Sequence, residues 1–269
     1  MFAALLVLGC DGVAPELAPP EELDRQAQID ETVDNLLLAG FPEREIGVLA
    51  DGTVYAGSDA EVSLQASREL AGLSTDGLRQ YRTNNLVDTS VNSVICVNPN
   101  AKFAANAVLS AALVDAVASY NAQGLSFSMQ IGGGGCDATI MAKEVQGSGG
   151  SAGFPSSGSP YGTINIGKSI GGYGHDVVVH VITHELGHCM GFRHTDYFDR
   201  SISCGGSPSD EGESSVGAIH IPGTPSGATL NGSVMNSCYN LQSDGEWTSG
   251  DVTALNELYG GGGGGGGGG

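Results

Sequence analysis

Apolar positions along the chain fall into a few periodic runs separated by stretches rich in Gly, Ser and Pro. "EELDRQAQIDETVDNLLL" (21–38) has apolar residues at helical spacing and stops at Gly40, which predicts a helix. "IGVLADGTVYAGSDAEVSL" alternates around Asp51-Gly52, a hairpin signal. Together they predict a small, separate α+β unit over roughly 20–85. "VNSVICVNP" (Val91–Pro99) reads as a strand closed by Asn98-Pro99. One long Ala-rich helix follows, "AKFAANAVLSAALVDAVASYNAQG", ending at Gly124. "LSFSMQI" (Leu125–Ile131) and "CDATIMAKEV" are the next two strands, and strand–helix–strand implies a right-handed parallel crossover. "GSGGSAGFPSSGSPYG" (147–162) reads as a flexible stretch outside the core, and "TINIG" (Thr163–Gly167) as a short strand. "HDVVVHVITHELGHCMG" is helical, and Asp196 to Asn231 is irregular. "WTSGDVTALNELYG" closes the fold with a helix capped by Thr248 and Asp251. The glycine run at the end is excluded from the core. The pattern is that of an α+β protein.

One stretch carries chemistry. "HELGHCMGFRH" (184–194) holds three of the six histidines, at offsets of four and then six. Residues four apart share a helix face, so His184 and His188 can aim at one point. Gly191 can adopt the left-handed conformation that ends a helix and redirects the chain. That turn can bring His194 to the same point from outside the helix. Two ligands on a rigid helix, a hinge and a closing ligand suit a catalytic zinc site with three protein ligands. Glu185 is not needed as a ligand; beside the metal it suits a general base that activates water. The bland alternative, histidines packed in an amphipathic helix, leaves the spacing and the glycine unexplained. His180 is one turn upstream on the same face but about 12 Å along the axis from His188, so it is read as packing or a supporting hydrogen bond. His175 and His220 are read as helix-start and loop residues. Cys189 lies about 100° around the helix from His188 and should face the core.

Charge and cysteines narrow the setting. Ten Lys+Arg against 30 Asp+Glu give a net charge of −20, which repels phosphate backbones and argues against nucleic acid as a partner. The opening "MFAALLVLGC" has an apolar run too short to span a bilayer but of signal-peptide length. Val7-Leu8-Gly9-Cys10 resembles a bacterial lipobox, so residues 1–10 are expected to be a signal and Cys10 a lipidation site. Residues 11–20, "DGVAPELAPP", then form a tether, with membrane contact only through the lipid. The expectation is an exported protein, a cell-envelope lipoprotein or a secreted one, and a monomer. Five cysteines remain after Cys10, so at least one is unpaired, and a bridge among Cys189, Cys204 and Cys238 is favoured by their positions.

The word His184–His194 resembles the metzincin signature HExxHxxGxxH in full. Together with "FRHTDYFDRSISCGG" and "VGAIHIPGTP" it is similar to the bacterial dual-action HEIGH metallopeptidases, with Leu186 where that name has isoleucine. The resemblance implies a zinc endopeptidase acting on proteins or peptides, with Zn2+ on His184, His188 and His194 and Glu185 activating the water on the metal. It implies a metzincin-like zincin: a twisted mixed sheet with two long helices (active-site and backing), then an irregular C-terminal subdomain ending in a helix. The catalytic domain would span 86–260, with 21–85 as a prodomain and 261–269 as a tail. Met235 in "SVMNSC" would form the tight turn beneath the metal, and Asp196 would orient the site by hydrogen bonds without being a ligand. Some relatives carry a tyrosine two residues after that methionine; here the position is Ser237, and Tyr239 comes later. Thr163, Ile164, Asn165 and Ile166 would be the edge strand that pins an extended peptide, and 217–225 a pocket wall. Latency in such enzymes uses a cysteine or an aspartate. No cysteine lies between Cys10 and Cys96, and Asp59 in "GSDAEV" is a candidate for the blocking carboxylate. The rival reading is a catalytically silent, zinc-stabilised binding or adhesion lipoprotein; Glu185 argues against it, because structural zinc needs no base.

Overall fold

The computed structural model describes residues 20–57, 59–71, 81–212, 218–225 and 227–261. Cys10, the signal and the tether up to residue 19 lie outside the described residues, as do 262–269. Helix α1 (Pro20–Leu38) leads into the hairpin of β1 (Ile46–Val48) and β2 (Val54–Ala56), where Gly52 takes φ +89° in the turn. β3 (Ala60–Glu61) and α2 (Leu64–Ala71) complete this segment. Its core is its own: Leu36, Phe41, Val54 and Leu70 are buried together, and Phe154 from further along the chain joins them.

β4 (Tyr81–Arg82) is followed by β5 (Val94–Pro99). The long helix expected next is two helices, α3 (Ala101–Ala105) and α4 (Ala107–Asn121). Asn106 makes the break: its side chain accepts hydrogen bonds from the Val108 and Leu109 amides, an N-cap that competes with helix continuation. β6 (Ser128–Ile131) and β7 (Ala138–Val145) both run parallel to β5, as the crossover reading requires. Then come β8 (Gly150–Gly153), β9 (Thr163–Gly167) and the histidine-bearing helix α5 (His175–Cys189). The irregular remainder holds α6 (Ser201–Cys204), β10 (Ile219–His220) and α7 (Ser249–Tyr259). α4 backs α5, with the Tyr120 hydroxyl donating to the Thr183 carbonyl at 3.0 Å, and the main apolar core lies between these helices and the sheet. No described helix is long and apolar enough to cross a membrane.

Three expectations are corrected here. The first segment is not separate, because one eight-stranded sheet runs β1-β2-β3-β8-β9-β7-β5-β6. β3 joins β8 in parallel, pairing Ala60 with Ala152 and Glu61 with Gly153. The Gly/Ser stretch is not outside the core, since it supplies β8, and Ala152 and Phe154 are buried. Its small residues permit close approach: a Cβ on Gly153 would lie 2.2 Å from the Glu61 carbonyl oxygen. Finally, Thr163 to Ile166 are not an edge. β9 pairs with β7 on one side and β8 on the other, and Ile164 and Ile166 are fully buried. The chain doubles back after β7 to lay β8 over that edge, and the outer side of β8 is taken by β3.

Candidate active site

His184 and His188 stand one turn apart on α5, with their Nε2 atoms 3.0 Å apart. The helix stops at Met190, and Gly191 turns the chain at φ +100°. Only glycine fits there, because a Cβ would lie 2.6 Å from the Asn85 carbonyl oxygen. The returning chain is clamped by the strand before it. The Thr83 amide donates to the Gly191 carbonyl and the Arg193 amide to the Tyr81 carbonyl, each at 2.8 Å. His194 Nε2 then arrives 3.2 Å from that of His184 and 3.3 Å from that of His188.

The far side of each ring is already committed. His184 Nδ1 donates to the Val234 carbonyl and His188 Nδ1 to the Phe192 carbonyl, both at 2.8 Å. His194 Nδ1 meets Glu211 Oε1 at 2.7 Å. A carbonyl can only accept, so the Nε2 atoms of His184 and His188 keep their lone pairs. Lone pairs this close repel unless a cation lies among them. Four ligand atoms around a tetrahedral ion at about 2.1 Å would be separated by about 3.4 Å, close to the spacings observed. The donor set therefore fits a metal.

Asp59 completes the cluster. Its Oδ1 lies 3.3 Å from His194 Nε2 and 3.7 Å from His188 Nε2, and Oδ2 lies 3.7 Å from His184 Nε2. Among the described residues these four side chains are the one group able to hold a metal ion. Burial pushes His188 well below the ordinary imidazole range, helped by His184 beside it. Burial also acts to lower His194, but the Asp59 and Glu211 carboxylates outweigh it and raise His194 well above that range. The same field that would add a proton there favours a divalent cation. For Asp59, burial opposes ionisation, yet His194 foremost holds its carboxyl well below the usual range.

Glu185 faces the same space and is only 2% exposed. Its Oε2 has no hydrogen-bond partner, and burial, followed by the charge of Asp59, raises its carboxyl well above the usual range. A Cβ on Gly150 would lie 2.2 Å from Glu185 Oε1, so the first residue of β8 makes room for the carboxylate. In front lies a cavity of about 220 Å³ lined by Asp59, Gly150, Val181, Glu185, Asn236 and Tyr239, among others.

The floor of the site is built on Met235 and two buried acidic side chains, Asp251 and Asp196. Met235 packs on α5 where Gly187 leaves room, since a Cβ there would lie 2.6 Å from its sulfur. Asp251, in the first turn of α7, accepts from Ser233 Oγ at 2.5 Å and from the Val234 amide at 3.1 Å. The same carboxylate accepts from the Thr248 amide and hydroxyl, completing the capping box read from the sequence. Asp196 lies outside the metal cluster and is fully buried; it accepts from the Ser237 amide and hydroxyl, both at 2.8 Å, and from Ser203 Oγ. It ties the Met235 turn to the segment after His194. Bridges Cys96–Cys136 and Cys204–Cys238 form, while Cys189 is free and buried, facing the core as its helix position predicts.

None of the described residues of the expected wall, 217–225, lines this cavity. Gly217 lies outside the described residues, and β10 pairs antiparallel with β4, which draws Ile221 into the core. Asn236 to Tyr239 line the cleft instead, with the Tyr239 hydroxyl donating to the Ser148 carbonyl. His180 also lines it, one turn before His184 and outside the metal cluster. Glu211 escaped the sequence reading because a lone acid in a Gly/Ser-rich loop has no periodic signal. Asp251 was legible as a cap, but not as a support of the turn.

The profile of the dual-action HEIGH metallo-peptidases matches residues 54–259 of the 269. The chain belongs to that family. As a member it is a metallopeptidase, a hydrolase of peptide bonds, and the His/Asp cluster is consistent with the metal cofactor the family requires. Two solved structures titled for myroilysin are similar to it. One is 14% identical over 62% of this chain and 93% of that chain, with a TM-score of 0.38. The other is 13% identical over 68% and 99%, with a TM-score of 0.37. No curated protein matches the chain.

Proposed function

We propose that the chain is the latent precursor of an exported zinc endopeptidase. The observation that carries this reading is the unpartnered Glu185 carboxylate oxygen facing the cavity beside three converging imidazoles. Three imidazoles and a carboxylate are ligands that zinc accepts readily. When bound, zinc supplies Lewis acidity, which makes water nucleophilic near neutral pH and polarises a peptide carbonyl. His184, His188 and His194 hold the site, and their Nδ1 partners fix the rings. Glu185 takes the proton of the attacking water and returns it to the leaving amine. Met235 and Asp251 keep the floor rigid.

Asp59 holds the position that water needs, and β3 covers the edge of β8 that an extended peptide would use. Residues 21–71 thus act as a prodomain whose release opens the cleft, whereas Tyr81 and Thr83, at the end of the expected 21–85, stay with the enzyme because they hold the turn to His194. Export with a lipid on Cys10 remains part of this reading, and the signal anatomy of residues 1–10 supports it. A silent binding lipoprotein has no use for a buried, unpaired glutamate.

The test is casein cleavage by the activated protein, with metal content measured alongside. One zinc per chain is expected, with activity lost to a chelator and recovered on adding zinc; cleavage that persists after complete metal removal rules the reading out. A second outcome concerns latency. Asp59→Ala in the full chain should raise the rate of self-processing by about 10- to 100-fold, the worth of a charged hydrogen-bonding contact. An unchanged processing rate by gel densitometry would remove Asp59 from the latency mechanism.

A further inference from the structure

Two residues beyond Asp59, Glu61 enters a second site. Its carboxylate is only 8% exposed and is surrounded by neutral donors. Tyr161 donates its hydroxyl to Oε2 at 2.6 Å, and Asn165 Nδ2 donates to Oε1 at 2.5 Å. Ser151 Oγ donates to Oε1 at 3.1 Å, and Tyr55 adds a bond at 3.0 Å. Tyr55 leaves with the first segment. The other three donors stay, on β8, on β9 and in the turn between them.

We propose that Ser151, Tyr161 and Asn165 form a substrate subsite that selects a glutamate side chain, occupied in the latent chain by Glu61. The inference rests on the proposed release of β3 and deepens that reading. Three donors converging in a half-buried pocket lose their shared carboxylate acceptor when β3 departs, with only the 3.2 Å contact from Asn165 Nδ2 to Ser151 Oγ left among them, and a glutamate side chain restores what is lost. A strand that replaces β3 on β8 brings alternate side chains to the same face whichever way it runs. The local sequence is shaped for such exchange. A Cβ on Gly153 would meet the Tyr161 ring at 2.7 Å as well as the docked backbone. Glu61 lies two residues beyond Asp59, so the subsite lies about 7 Å along an extended chain from the metal cluster, within a few residues of the cleaved bond. The short contacts from Tyr161 and Asn165 are of the charge-assisted kind, which favours glutamate over glutamine.

The experiment uses full chain activated by limited proteolysis and quenched peptides carrying Glu, Gln, Ala or Lys at each position flanking the cut. At one position Glu should exceed Ala by about tenfold in kcat/KM, with Gln between them and Lys lowest. Tyr161→Phe and Asn165→Leu, tested singly, should each reduce the Glu-to-Ala ratio. A ratio near one at every position in the wild type overturns the subsite while leaving the peptidase reading intact. If no peptide is cut, the peptidase reading fails and the subsite is judged by binding alone. For that arm, Glu185→Gln protein activated in the same way is titrated with labelled "AGSDAEVSL" and its Glu61→Ala counterpart. About tenfold tighter binding of the glutamate form supports the subsite, and equal affinities overturn it.

Discussion

Glu185→Gln should lower peptide cleavage by about 10²- to 10⁴-fold, the range for a general base, while zinc content stays at the wild-type level. Glutamine keeps the shape of the side chain and its packing against Gly150, but it cannot take a proton. The three imidazoles are untouched, because Glu185 is outside the metal cluster. Stability should not fall. The carboxyl is deeply buried with an oxygen that no donor serves, so a neutral amide of the same shape removes the cost of ionising it there. Kinetics, metal analysis and a melting curve on the same preparation separate these effects. Full activity in the zinc-loaded variant would end the proposed role of Glu185.

The second large effect is structural. Asp251→Ala should destabilise the protein by about 3–5 kcal/mol, because it strips a buried carboxylate from two backbone amides and two hydroxyls at once. For a chain of this size that is a fall of roughly 6–20 °C in melting temperature. The loss should reach the metal site as well. Val234, whose amide Asp251 holds, supplies the carbonyl that orients His184, so zinc affinity is expected to drop about 10- to 100-fold. Asp251→Asn should fall between, since it keeps one acceptor. Calorimetry and competition with a zinc dye measure both quantities. A melting shift under 2 °C would mean that the α7 cap does not support the Met235 turn.

The parts of the site that the sequence disclosed are those set by short-range geometry. His184 and His188 are joined by one helical turn, and Gly191 announces the hinge because only a residue without Cβ could pass Asn85 there. Thr248 and Asp251 are three residues apart and cap their own helix. Asn106 was equally local, yet the alanine-rich periodicity on both sides concealed its capping role. By contrast, "GSGGSAGF" has no apolar alternation to mark a strand, because its glycines serve close approach to Glu185 and β3.

The sequence by itself determined where the three converging histidines are, the hinge between them and most of the helices and strands in their order, because helix period, strand alternation and turn chemistry act over a few residues. Only the tertiary structure decided that β8, not β9, is paired by β3 of the first segment, that Glu211 holds His194, that Asp59 reaches the metal cluster and that Glu61 is held by Tyr161 and Asn165. Those contacts join residues far apart in the chain, and which strand lies beside which depends on loop closure and the packing of the whole sheet, quantities that no local pattern encodes.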